Sequence, residues 1–254
     1  MGLFDLSGKI AVVTGGNGGI GLGMARGLAE GGARIAVVGR NAEKNAAAVA
    51  ALSAIGPAAV ALEADVTSRA ECVRLAAEVV ERFGRLDILI NNAGSTVRKA
   101  PQDITEEEWH FVIDTNLTSA FLCSQAVYPA MLRGGGGKIV NIGSMMSLFG
   151  APFATAYGAS KGGIVQMTRS LASAWAKDNI QVNAVLPGWI DTDLTRGARE
   201  QVPGLNEKVL AGTPAGRWGV PADMSGSALF LCSRASDFVT GTAIPVDGGF
   251  SIQA

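Results

Sequence analysis

A continuously apolar run, Ile10-Ala11-Val12-Val13, leads into Thr14-Gly15-Gly16-Asn17-Gly18-Gly19-Ile20-Gly21 and then into a stretch rich in Leu and Ala. An unbroken β-branched run of this kind reads as a strand covered on both faces. The turn that follows lets the backbone approach a ligand closely, which is what glycine provides. A helix beginning there offers unpaired N–H groups and a partial positive charge to an anion. Two registers fit at once: Gly16-x-Gly18-x-x-Gly21 is the general dinucleotide fingerprint, and Thr14-Gly15-x-x-x-Gly19-x-Gly21 is a narrower one. The plain alternative is an ordinary glycine-rich turn. The position of this run in the first strand-to-helix turn, with a second strand behind it, favours a pyrophosphate cradle built from Gly15, Asn17, Gly18, Gly19, Ile20 and Gly21.

Beyond this turn, short β-branched runs alternate with longer Ala-rich ones. Strands are expected at Ile10–Thr14, Ile35–Val38, Val60–Ala64, Ile88–Asn91, Lys138–Ile142, Gln181–Val185 and Ala243–Val246. Helices are expected at Ile20–Ala29, Ala42–Leu52, Arg69–Phe83, Glu106–Leu132, Ala156–Ala176 and Ala222–Cys232, with Asn41 and Ser68 as N-caps of the second and third. This alternation predicts an α/β fold: a doubly wound, seven-stranded parallel sheet with helices on both faces and ligands at the strand carboxyl ends. A chain of 254 residues suits one domain, 1–254, with one core. The single long irregular stretch, Trp189–Gly219, is read as a substrate lid.

The second strand tests which nucleotide is bound. An NAD site places Asp or Glu there for the ribose 2′-hydroxyl. Here the strand ends Val37-Val38-Gly39-Arg40-Asn41, with a guanidinium instead of a carboxylate. Arg40, beside Asn41, suits a 2′-phosphate, so NADP(H) is favoured over NAD(H).

Tyr157 and Lys161 are spaced i, i+4, which places them on one helix face. A tyrosine near pKa 10 exchanges protons poorly at neutral pH, and a neighbouring ammonium would draw it down. Ser144, at the end of the fifth strand, would point into the crevice where cofactor and substrate meet.

The loop Thr14–Gly21, the strand end Asn91-Asn92-Ala93-Gly94, Asn116, Ser144, Tyr157, Lys161, Pro187-Gly188 and the closing Val246-Asp247-Gly248-Gly249 together resemble the short-chain dehydrogenase/reductase family over essentially the whole chain. The resemblance implies a Rossmann fold and a metal-free hydride transfer between nicotinamide and a secondary alcohol or ketone. It implies Tyr157 as general acid/base, Lys161 on the nicotinamide ribose, Ser144 on the substrate oxygen, and Asn116 positioning a water that relays protons to Lys161. It places Asp65 and Val66 at the adenine and Asn92, Ala93 and Gly94 along the cofactor cleft. Pro187, Gly188 and Ile190 would lie along the nicotinamide, with Thr192 near its carboxamide. It also implies a homotetramer.

Within that family the chain is similar to bacterial sugar-acid and polyol dehydrogenases, such as those acting on deoxygluconate or gluconate. The similarity rests on Asn91-Asn92-Ala93-Gly94-x-x-x-Arg98, Gly143–Ser147, Ala174-Trp175-Ala176-Lys177 and Pro214–Gly219. Ser173 departs from it, standing where many relatives carry an acidic residue. Arg98 is the candidate for a substrate carboxylate, with Ser144, Met146, Tyr157 and Trp189 around the substrate; the alternative is a surface arginine beside Lys99. Apolar candidates at the pocket edge (Met145, Met146, Leu148, Phe149, Phe153, Trp189) keep a larger hydrophobic ketone or a 3-oxoacyl thioester as the second reading. A non-catalytic NADP-binding sensor is the remote one.

Other classes are disfavoured. With 21 basic and 22 acidic side chains the chain has no field to attract nucleic acid or an anionic membrane. No apolar run approaches a membrane span, and the opening residues lack a signal-peptide pattern, so a soluble cytoplasmic protein is expected. Cys72, Cys123 and Cys232 form no metal or disulfide spacing, and His110 is the single histidine, so no metal is expected.

Overall fold

The computed structural model describes residues 2–252; Met1, Gln253 and Ala254, the ends of the expected 1–254 domain, lie outside the described residues. Strand β1 (Ile10–Thr14) runs parallel to β2 (Arg34–Val38) on one side and to β4 (Ile88–Asn91) on the other. Completed by β3 (Val60–Leu62), β5 (Gly137–Ile142), β6 (Ile180–Pro187) and β7 (Ala243–Val246), the sheet has the order β3-β2-β1-β4-β5-β6-β7, all parallel. The order reverses between β1 and β4, so a crevice opens at their carboxyl ends.

Both faces of the sheet are covered. Helices α1 (Gly19–Glu30), α2 (Ala42–Ser53) and α9 (Ser225–Cys232) pack Met24, Leu28, Leu52 and Leu231 on one face, against Ala11, Val13, Ile35 and Val37. Helices α3 (Arg69–Phe83), α5 (Ser119–Arg133) and α6 (Thr155–Trp175) pack Leu75, Val79, Val127 and Leu171 on the other, against Ile10, Val12, Ala36 and Val38. Successive strand residues point to opposite faces, and both faces are dry, which is why these strands read as unbroken apolar runs. Asn41 caps α2 by accepting from Lys44 N–H, and Ser68 caps α3 by accepting from Glu71 N–H.

Three expected elements differ. The third strand stops at Leu62, and Asp65 folds back to accept from Thr67 N–H and its hydroxyl. The helix expected over Glu106–Leu132 is interrupted: α4 (Glu106–Ile113), opened by a Thr105/Glu108 capping box, passes through a π-helical turn at Asp114–Thr118 before α5. The stretch 189–219 is not irregular. It holds α7 (Asp193–Gln201) and α8 (Leu205–Ala211), whose few apolar residues and Gly197 hide the helical period. Its base is closed by a parallel bridge between Ile190 and Gly219, with Asp191 N–H donating to Gly219 O and Gly219 N–H to Trp189 O.

Helix α1 lies unusually close to the turn that opens α9. A Cβ on Gly23 would collide with the Pro221 carbonyl, and Ser225 donates its hydroxyl to Gly23 O at 2.7 Å. Gly23→Ala should therefore push α1 off this turn and destabilise the protein by about 1–3 kcal/mol. Urea unfolding checks this through a lowered midpoint with an unchanged slope.

Candidate active site

The crevice is laid out by a seam between β1 and β4. The buried Thr14 hydroxyl donates to Ile90 O at 3.3 Å and accepts from Asn92 N–H at 3.0 Å and Ala93 N–H at 3.1 Å. The Asn92 amide returns two donors, to Thr14 O at 3.1 Å and Gly15 O at 3.0 Å. Gly15 has φ +61°, and a Cβ there would press on Asn92 and Ala93. Gly21 does not line the cleft. Its Cα lies against the Asn92 amide and the Gly15 carbonyl, so its service is close backbone packing rather than ligand contact.

From this seam a cleft of about 330 Å³ runs past Gly15, Asn17, Gly18, Gly19 and Ile20, beneath Asn92, Ala93 and Gly94, to Ser144, Tyr157 and Lys161, with Pro187, Gly188, Ile190 and Thr192 on its far wall. A second cleft, of about 480 Å³, continues over the end of β2 and is bordered by Gly39, Arg40, Asn41, Lys44, Asp65 and Val66. The outer end is braced by a residue that motif reading missed. Asn45, buried in α2, accepts from Asn17 Nδ2 at 2.7 Å and donates to Gly39 O at 2.8 Å. Its signal in the sequence is a polar side chain on the inward face of an otherwise Ala-rich helix. The two clefts fit a dinucleotide: no side chain caps α1, and at Gly94 a Cβ would crowd Asn116 Oδ1 at 3.2 Å and Lys161 Nζ at 3.7 Å. Arg40 stands at the end of β2, which itself carries no carboxylate, and shares the cleft with Asp65. The Asp65 carboxyl is held below its usual range by its hydrogen bonds from Thr67 and, to a lesser extent, by the Arg40 charge.

At the inner end, Asn116 sits in the π turn, fully buried. It accepts from Ser95 N–H at 2.7 Å and donates to Ser95 O at 2.9 Å and Ser160 Oγ at 2.9 Å. The buried Lys161 ammonium donates to Ile142 O at 2.7 Å and lies 5.7 Å from the Tyr157 ring centre; burial brings its pKa down to about 8. Burial pushes the Tyr157 phenol up, opposed by its hydrogen bond with Ser144 and by the charge of Arg98. Burial thus outweighs the depression expected at Tyr157, and the Lys161 ammonium is engaged by the strand carbonyl. The Ser144 hydroxyl itself accepts from Met146 N–H at 3.1 Å, and Ser147, another residue not singled out, ties Ser144 N–H to Lys161 O.

Beside this cluster lies a pocket of about 110 Å³ lined by Arg98, Ser144, Met146, Tyr157 and Trp189, together with Met145 and Phe153 and, unforeseen, Thr96 and Leu194. Arg98 is thus a pocket residue and not a surface one; Lys99 turns away to Glu108. Leu148 and Phe149 are exposed and lie outside the pocket. His110 is exposed against Glu106, and among the described residues no cluster of His, Cys, Asp or Glu is suited to a metal. Among them, too, no helix is long and apolar enough to cross a membrane.

A dinucleotide cleft ending at a cluster of half-buried Ser144 and Tyr157 with buried Lys161 defines a nicotinamide-dependent oxidoreductase. The family profile described as Enoyl-(Acyl carrier protein) reductase matches residues 15–251. The chain is 42% identical over 248 residues to 2-dehydro-3-deoxy-D-gluconate 5-dehydrogenase of Dickeya dadantii (97% of each chain). It is 38% identical over 253 residues to gluconate 5-dehydrogenase of Gluconobacter oxydans (99% of this chain, 98% of that one). A gluconate 5-dehydrogenase from Burkholderia cenocepacia, crystallised with NADP and tartrate, superposes with a TM-score of 0.94 at 38% identity, covering 99% of this chain and 98% of that chain. The chain belongs to the short-chain dehydrogenase/reductase family and is an NAD(P)-dependent oxidoreductase acting on hydroxyl or keto carbons.

The chain has two tyrosines, Tyr128 and Tyr157. Both are held above the ordinary value of 10.0, Tyr128 by its hydrogen bond to Asp178 and Tyr157 by burial. Absorbance titration of the protein without cofactor should accordingly show tyrosinate forming at higher pH than for free tyrosine. A phenolate signal near neutrality would show that the apo site already activates Tyr157.

Proposed function

We propose that the protein interconverts a secondary alcohol and ketone of a sugar acid, gluconate or a close relative, with NADP(H) in preference to NAD(H). The observation that carries the substrate class is Arg98, a guanidinium lining a small pocket beside Ser144 and Tyr157 with no carboxylate partner among the described residues. A fork of N–H donors in that position fits a carboxylate bidentately. The names of the similar gluconate and deoxygluconate dehydrogenases support the same class.

The residues of the clefts assign the parts. Gly15, Gly18, Gly19 and the α1 terminus hold the pyrophosphate, and Arg40 with Lys44 faces the 2′-phosphate. Pro187, Gly188, Ile190 and Thr192 flank the nicotinamide, which when bound supplies or accepts a hydride. Tyr157 moves the proton on the substrate oxygen, and Ser144 donates to the same oxygen as charge develops there. Lys161 holds the nicotinamide ribose and, once drawn from Ile142 O, adds a positive charge that lowers the phenol. Asn116, whose side chain is committed to Ser95 and Ser160, fixes the wall that faces Lys161. The segment 189–219, closed at its base, acts as the substrate lid.

The apolar walls Met145, Met146, Phe153 and Trp189 favour a second reading, a hydrophobic ketone. Assembly as a homotetramer is supported by Trp109, Phe111, Phe121 and Leu132, exposed on the α4 and α5 region. Three buried free thiols suit a reducing cytoplasm.

Initial rates over sugar acids, polyols and apolar ketones with both cofactors test this. Arg98→Ala should raise KM for a sugar acid by about 10–100-fold, the worth of one charged hydrogen-bonding partner. Turnover confined to bulky ketones would overturn the substrate class. Tyr157→Phe should lower kcat by about 10²–10⁴-fold with nearly unchanged NADP(H) affinity. Arg40→Ala should weaken NADP(H) by about tenfold or more and leave NAD(H) almost unaffected. Fluorescence titration with each cofactor distinguishes this from a general loss of binding.

A further inference from the structure

Three arginines lie around α7, and they are not equivalent. Arg196 pairs with Asp191 and Asp193, and Arg199 with Asp191 while stacking 3.8 Å from the Trp218 ring centre. Arg98, which reaches α7 from the loop after β4, meets only uncharged acceptors. Its Nη2 donates to Leu194 O at 3.1 Å and its Nη1 to Gln201 Oε1 at 3.3 Å. Leu194 and Gln201 are seven residues apart, two turns along one face of the helix, so a single guanidinium clasps both ends of α7. The helix has a second mooring between those two points. Ala198 packs with Leu205, Val209, Trp189 and Trp218, and this contact does not involve Arg98.

The donors that α7 occupies are the ones a carboxylate would take. A charged acceptor binds a guanidinium roughly twice as strongly as a neutral one. A carboxylate in the pocket can therefore displace Gln201 and Leu194, whereas a hydroxyl offers no advantage over them. We propose that Gln201 is a positioning residue that sets the preference for carboxylate substrates: its neutral amide oxygen, with Leu194 O, holds the Arg98 fork ready in the empty pocket and yields it to a sugar-acid carboxylate. The proposal rests on the reading of Arg98 given under Proposed function. Neutrality at position 201 is its essential feature, because a carboxylate there would occupy Arg98 permanently from within the chain, at the high effective concentration of an intramolecular group.

Gln201 is exposed and outside the pocket lining, so its replacement leaves the fold and the cofactor cleft intact. The test measures kcat and KM for D-gluconate oxidation at saturating NADP in the wild type, Gln201→Glu, Gln201→Met and Arg98→Ala. Gln201→Glu is expected to raise KM by about tenfold or more with kcat little changed. Gln201→Met, of similar length and without the acceptor, raises it by about two- to fivefold because the fork is no longer held in place. A Gln201→Met KM equal to the wild type would overturn the positioning role. Equal KM in Gln201→Glu and wild type, with KM raised in Arg98→Ala, would overturn the role of Gln201 and leave the carboxylate reading standing. Equal increases in Gln201→Glu and Gln201→Met would overturn it too, since the position would then serve packing rather than charge. An unchanged KM in Arg98→Ala, or a wild-type enzyme that neither turns over D-gluconate nor is inhibited by it, would remove the carboxylate reading and this inference with it.

Discussion

The Thr14 hydroxyl ties together two strand ends that are far apart in the chain, and the whole site takes its position from that tie. It accepts the N–H groups of Asn92 and Ala93 and donates to Ile90 O, while the Asn92 amide closes the loop back on the Thr14 and Gly15 carbonyls. A buried polar side chain left unpaired here would cost a few kcal/mol, so the mutual satisfaction makes the arrangement close to all-or-none. The glycines then follow from geometry. Gly15 must take positive φ to turn under Asn92, and Gly21 must lack a Cβ because the Asn92 amide and Gly15 carbonyl occupy that space. The phosphate loop is shaped as much by β4 as by its own sequence.

The inner end of the crevice carries positive charge without matching carboxylates. The chain as a whole is nearly neutral, yet Arg40, Lys161 and Arg98 stand along the cleft from its outer to its inner end; Arg40 shares its end with Asp65, while Lys161 and Arg98 are met by uncharged acceptors. A site so arranged is complementary to a phosphorylated dinucleotide at one end and to an acidic substrate at the other. The same arrangement leaves Tyr157 under opposed influences: burial raises it, and the Ser144 hydrogen bond and the nearby Arg98 charge lower it. The buried Lys161 ammonium beside it donates to Ile142 O, and burial lowers its pKa to about 8.

Much of the architecture was legible because parallel strands buried on both faces announce themselves as apolar runs, and because Asn41 and Ser68 cap their helices by a local, sequence-readable rule. Ser144, Tyr157 and Lys161 were found by strand-end position and helical spacing, and the structure brings them to one cleft. What stayed hidden was non-local or weakly patterned. Asn45 matters only because α2 delivers it beneath Asn17 and Gly39, which no spacing reveals. Helices α7 and α8 carry so few apolar residues that their period is faint, and the reach of Arg98 to Leu194 and Gln201 crosses about a hundred residues of chain. The release of Lys161 from the phenol has the same origin, since the competing acceptor is a backbone oxygen that every sequence possesses.

The π turn at Asp114–Thr118 has a consequence for helical phase. Each residue of an α-helix advances about 100° around the axis. One residue more than an α-helical turn needs therefore rotates everything after it by that amount relative to everything before. The capped helix α4 and the core helix α5 thus present differently phased faces, and at the step between them Asn116 is turned inward to Ser95 and Ser160. Loss of a single residue in that turn would restore regular winding and swing either the apolar face of α5 off the sheet or the Asn116 amide out of the crevice. In this segment the active site and the core are therefore set by the same residue count.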